Sequence, residues 1–162
     1  MSSKTNFQKI REFHQTSDLD NHFEHQLDVF DNKKLIKLRI ALIEEELNEL
    51  KETINQRDFV EVRDAIADIL YVTYGTAASF GIDADGDYAK VHNSNMTKFC
   101  ETEELAQKTV EEYKKRYSEG DLRYDTPSYR LSGDGKYYVV YNESSGKILK
   151  SINYKPVDLT DL

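Results

Sequence analysis

The sequence predicts a mainly α fold: an antiparallel bundle of helices closed by a small C-terminal antiparallel β-hairpin or ribbon. Three observations point there. Apolar residues recur at helical spacing from Lys33 to about Asn55, and a second long apolar stretch, RDAIADILYVTYGTAASFGI, lies between a capping Asp58 and Gly81. After Gly120 the texture changes to short β-rich runs separated by turn residues.

Taken in order, residues 5–14 (TNFQKIREFH) read as a short amphipathic helix, and 15–32 are polar and acidic with scattered aromatics. Leu35, Leu38, Leu42, Ile43, Leu47 and Leu50 mark a helix of several turns, Glu-rich in its second half. A short NQRD connection leads to a third helix reaching about Ser79. Asp58 is its cap, Glu61 three residues on completes a capping-box-like pattern, and Gly81 is its stop. Segment 85–99 (DGDYAKVHNSNMTKF) predicts another helical turn or two. Segment 101–117 predicts a charged helix with acids early and bases late, as the helix dipole favours. The runs YRL, KYYVVY and KILKSI, separated by SGDG and NESSG, predict a hairpin or a three-stranded ribbon, and NYKPVDLTDL an extended end.

At 162 residues the expectation is a single domain: a helical core over 1–99, a helix plus β-hairpin insertion over 100–145, and a C-terminal strand and tail over 146–162. Thirty acidic against 22 basic residues give a net charge of -8, a poor match for nucleic acid or an anionic membrane. The single cysteine, Cys100, allows no internal disulfide, and the polar opening MSSKTNFQKIREFH has no signal-peptide core, so a cytoplasmic protein is expected. The apolar stretch around Asp68 carries that charge, Gly75 and several hydroxyls, so it reads as a buried helix rather than a membrane span.

Asp68 is the only formal charge between Ala65 and Ile82, and an ionised carboxylate in an apolar setting needs a partner. Projected at about 100° per residue, the second helix turns Leu35, Leu38, Leu42, Ile43 and Leu50 inward. Glu46 falls in that sector, Glu49 near its edge, Glu45 further round, and Glu44 points away. The third helix puts Glu61, Asp64, Asp68 and Gly75 on one stripe, with Gly75 removing bulk near the acids. Facing carboxylates repel one another unless a cation joins them. With no Cys or His at ligand spacing, Mg²⁺ (or Mn²⁺) suits this oxygen-only set, and such a site favours attack on a phosphoanhydride. The competing readings are a solvated Glu-rich face, a helical partner protein whose acids meet basic residues of another chain, and a non-catalytic module that binds and senses metal-nucleotide.

The segments LRIALIEEELNEL (38–50), DAIADILYVTYGTAASFGID (64–83), KVHNSNMTKF (90–99) and GKILKSINYKPVDL (146–159) together resemble the all-α nucleotide pyrophosphohydrolases, the superfamily of MazG-type enzymes and phosphoribosyl-ATP pyrophosphohydrolase. The resemblance implies a helical bundle assembled as a homodimer or dimer of dimers. It also implies cleavage of nucleoside triphosphates between the α and β phosphates, giving the monophosphate and pyrophosphate, in sanitation or control of nucleotide pools. The family's ExxE pair maps onto Glu46 and Glu49, with Glu45 an extra acid, and its second acidic motif ends at Asp68. Ala65 stands where that motif carries an acid, so either Asp64 or Glu61 completes it, and the number of metal ions stays open. The resemblance thus implies Mg²⁺ on Glu46, Glu49, Asp64 and Asp68, with Glu45 or Glu49 directing water and Lys98 neutralising the departing pyrophosphate. His92, Asn95 and Lys98 fall where the family contacts phosphates, Arg39 supports either phosphate or carboxylate, and His14 is a weaker candidate. The insertion either covers the nucleotide site or makes an oligomer contact.

Overall fold

The computed structural model describes residues 4–161, and it is mainly helical with a small C-terminal two-stranded antiparallel sheet, as expected. Its elements are α1 (Asn6–Thr16), α2 (Lys33–Gln56), α3 (Phe59–Phe80), α4 (Ala84–Met96), α5 (Glu103–Ser118), β1 (Pro127–Leu131) and β2 (Tyr138–Asn142). The chain divides into two compact units, one running through Asp87 and the other from Tyr88 to Asp161, so residues 88–99 of the expected helical core lie in the second. No single helix among the described residues is long and apolar enough to cross a membrane.

In the first unit, side-chain caps set where the helices start. Thr5 Oγ1 accepts from Gln8 N while Thr5 N donates to Gln8 Oε1, a reciprocal box that starts α1. Asn32 Oδ1 accepts from Leu35 N at the head of α2. Asp58 Oδ1 accepts from Val60 N and Glu61 N at the head of α3, forming the Asp58 half of the expected pattern. The connection is shorter than NQRD: α2 runs through Gln56, and Arg57, at φ 59°, turns the chain with Asp58 alone. Gly81, at φ 71°, ends α3.

Both α1 and α2 pack on α3. Phe7, Ile10 and His14 bury one face of α1, and α3 buries Ala65, Gly75, Ala78 and Ser79. Burial is less complete than the apolar pattern suggests. Leu38, expected to point inward, is 51% exposed, and on α3 Ile66 and Leu70 are 48% and 51% exposed, so α3 is a half-covered helix rather than a buried one. Two neighbouring helices cannot enclose the whole circumference of an apolar third.

The second unit has its own core of Cys100, Ala106, Val110, Tyr113, Val140 and Leu149. Thr102 caps α5, which packs against both strands. Strands β1 and β2 pair antiparallel in the register Tyr129↔Val140, and the expected third run joins only through a bridge between Tyr141 and Ile148. Asn142, 2% exposed, accepts from Thr126 N and donates to Asp125 Oδ1, tying the two ends of the hairpin. The extended tail lies along the end of α4 and the residues that follow it: Ser94 Oγ donates to Lys155 O (2.8 Å), Lys155 N to Thr97 Oγ1 (2.9 Å), and Ser151 N to Lys98 O (3.0 Å).

Candidate metal centre

Two helices joined by a two-residue turn must lie side by side, which brings the second half of α2 alongside the first half of α3. Glu46 is half-buried there. Its carboxyl is held above the ordinary range first by burial and then by the negative charge of Asp68, Glu49, Glu45 and Asp64, in that order. Asp68 is half-buried too, whereas Glu45, Glu49, Asp64 and Glu61 are exposed. Asp64, not Glu61, joins Asp68 in acting on Glu46. None of these acids forms an ion pair with a lysine, arginine or histidine among the described residues. The carboxylates share one electrostatic neighbourhood, but no three His, Cys, Asp or Glu side chains among the described residues converge closely enough to enclose an ion.

Arg39 and His14 occupy a different part of the same unit. Arg39 is 6% exposed, its guanidinium destabilised as a cation by burial, and its Nε has no hydrogen-bond partner. His14, 3% exposed, donates from Nδ1 to Asp20 O at 2.7 Å, and burial, with Arg39 adding repulsion, lowers its pKa. A Cβ on Gly75 would stand 3.1 Å from His14 Nε2 and 3.3 Å from Arg39 Nη1. The room this glycine makes is therefore for His14 and Arg39 and not for the acids, because seven helical residues carry it about 10 Å along α3 from Asp68.

His92, Asn95 and Lys98 belong to the second unit. His92 and Asn95 are exposed, and half-buried Lys98 donates from Nζ to Asn95 Oδ1 at 2.7 Å. Sequence reasoning passed over Ser94 and Thr97, the two hydroxyls of the same segment that fasten the tail.

A helical hairpin with uncompensated carboxylates on both arms suits a phosphoanhydride hydrolase, and the family comparison agrees. The phosphoribosyl-ATP pyrophosphohydrolase model matches residues 10–95, more than half of the sequence, and the chain belongs to that family, within the MazG-like all-α superfamily. The match takes in every acid of the cluster and stops before Lys98. An uncharacterized protein of Acanthamoeba polyphaga mimivirus is 28% identical, the alignment covering 98% of this chain and 95% of that one.

Proposed function

We propose that this protein is a divalent-metal-dependent nucleoside triphosphate pyrophosphohydrolase, cleaving between the α and β phosphates to release the monophosphate and pyrophosphate. The observation that supports this reading is Glu46, a half-buried carboxyl surrounded by four other acids and paired with no described cation. A cluster that favours a proton for want of a counter-charge also favours a hard divalent ion, and its donors are all oxygens. Glu46, Glu49, Asp64 and Asp68 would hold Mg²⁺, with Mn²⁺ as a substitute. When bound, the ion supplies neutralisation and orientation of the phosphates. Glu45 or Glu49 orients a water and takes its proton. The water oxygen bonds to phosphorus, the bridging phosphoanhydride bond breaks, and pyrophosphate departs with the electron pair.

The test is pyrophosphate release from a panel of nucleoside triphosphates with Mg²⁺, Mn²⁺ or EDTA. Wild type is expected to turn over only with metal, and Glu46→Gln to lose about 100-fold or more. Equal turnover in both proteins, or turnover in EDTA, overturns the proposal, and tight metal-nucleotide binding without product identifies a sensing module instead. We further propose that the protein acts in the cytoplasm as a homodimer or a dimer of dimers, which the exposed Leu38, Ile66 and Leu70 support. Sedimentation as a monomer at micromolar concentration would refute the assembly.

A further inference from the structure

The small sheet of the second unit has one finished edge and one open edge. On the β2 side, Tyr138 exchanges both backbone bonds with Cys100, Val140 O accepts from Leu149 N, and Asn142 N donates to Lys147 O. The intervening residues of β2 therefore serve β1, a pattern continued by Glu143 N on Thr126 O and Ser132 N on Tyr137 O. Ser128 and Arg130 take the bonds from β2, which leaves the N–H and C=O of Tyr129 and Leu131 and the C=O of Pro127 pointing away from the sheet. Among the described residues no group meets them. A row of free donors and acceptors at fixed spacing is a template for another strand. This row is held in place, because Tyr129 Oη accepts from Gln107 Nε2 and donates to Glu103 Oε1, both on α5. Leu131, beside it, is 53% exposed.

The order of residues along β1 selects the strand that fits. Laid antiparallel against a second copy about a twofold axis at Tyr129, β1 sets Tyr129 opposite Tyr129, Leu131 opposite Pro127 and Arg130 opposite Ser128. The two Tyr129 residues exchange a pair of hydrogen bonds, and each Leu131 N–H donates to the opposing Pro127 O. The absent proline N–H leaves only the Leu131 C=O to water. No like charges face each other, and Arg130 is drawn back over the Tyr141 ring of its own chain, 4.6 Å from the ring centre. Moving the axis to Arg130 would instead set two guanidinium groups face to face. We propose that β1 is a self-association edge, at which two copies join in the Tyr129-centred register and merge their hairpins into one sheet. The pairing rests neither on the hydrolase reading nor on the exposed helical faces of the first unit.

The experiment is amide hydrogen exchange of the full-length protein, read by NMR from low micromolar to near-millimolar concentration. The Tyr129 and Leu131 amides are expected to exchange freely when dilute and several-fold more slowly when concentrated. The Arg130 amide, bonded within the hairpin, should stay protected throughout and reports that β1 is intact. Ser128 is half-buried and its hydroxyl bonds to no described residue, so it can be changed without removing a hydrogen bond. Ser128→Arg sets like charges opposite each other on both sides of the axis and should raise the concentration needed for protection by about tenfold. Ser128→Asp presents the opposite charge to Arg130 and should keep the protection. Association through the helical faces leaves these two amides untouched, so its presence or absence does not alter the readout. Free exchange at every concentration overturns the proposal and leaves the edge to a strand of another protein. Protection that is independent of concentration overturns it too, since the edge is then covered within one chain. Equal protection in Ser128→Arg and wild type overturns the register.

Discussion

Replacing Gly81 with alanine should loosen the whole first unit. Gly81 ends α3 at φ 71°, and a Cβ there would stand 2.6 Å from the Glu24 carbonyl carbon, closer still to its oxygen, and 3.2 Å from His25 N. The obstruction is backbone, so it cannot rotate away as a side chain would. To make room, segment 22–26 must retreat from α3, where His22 N donates to Ala78 O (2.9 Å) and Gln26 N to Phe80 O (3.0 Å). A left-handed φ costs a non-glycine residue about 1 kcal/mol, and losing two backbone hydrogen bonds costs about 1 kcal/mol each, so the variant should lose about 3 kcal/mol. In a chain of this length that lowers Tm by roughly 6–12 °C. Two controls isolate the causes. Gly120, at φ 104° with nothing within 4 Å, should cost only the backbone part on change to alanine. Gly133, equally open and with an ordinary φ, should be nearly neutral. Calorimetry and urea titration of the three variants measure the difference. If Gly81→Ala melts no lower than Gly120→Ala, the Glu24 backbone is not pressed against the end of α3 and the reasoning fails.

Three further outcomes are expected. The Glu46 carboxyl binds its proton more tightly when folded than at the unfolded value of 4.5, so in EDTA its contribution to stability falls as pH rises from 4.5 through the higher folded value. Melting curves of Glu46→Gln in EDTA should lack that decline and lie at or above wild type at neutral pH. His14 behaves oppositely: its folded pKa lies below 6.5, so the unfolded chain takes up the proton first and stability is lost as pH falls below that value. His14→Gln should flatten that acid-side loss in urea midpoints read at a series of pH values. Ser94→Ala removes the bond to Lys155 O and should cost about 1 kcal/mol, visible as faster amide exchange at Lys155, whose N–H is held by Thr97.

Much of this molecule is local chemistry, and local chemistry is legible in a sequence. Asp58 and Gly81 bracket α3 because a carboxylate satisfies free amides at one end and a left-handed residue closes the other. The acids of α2 and α3 were found for the same reason, since helical spacing places polar groups on a face before any tertiary contact is known. What spacing cannot supply is the neighbour. Leu38 reads as inward and α3 as a buried helix because they are apolar, yet a single chain leaves Leu38, Ile66 and Leu70 about half exposed. Gly75 lies on the acid stripe, but its neighbours, His14 and Arg39, come from two other helices. The HNSNMTK segment and the NYKP tail look like separate motifs, but hydrogen bonds from Ser94 and Thr97 join them across 61 and 58 residues of chain. Lys98, Arg116, Lys147 and Lys150, which line one pocket of the second unit, are scattered along the chain, so no window of sequence shows them as a group.

Cys100 lies wholly inside the core of the second unit, its Sγ 3.7 Å from Thr109 Oγ1. A thiol-modifying reagent can reach it only when that core comes apart, and the chain has no other sulfhydryl to confuse the signal. The rate at which the intact protein reacts with such a reagent is therefore a clock for the opening of one half of the molecule, readable without any label having to be built in.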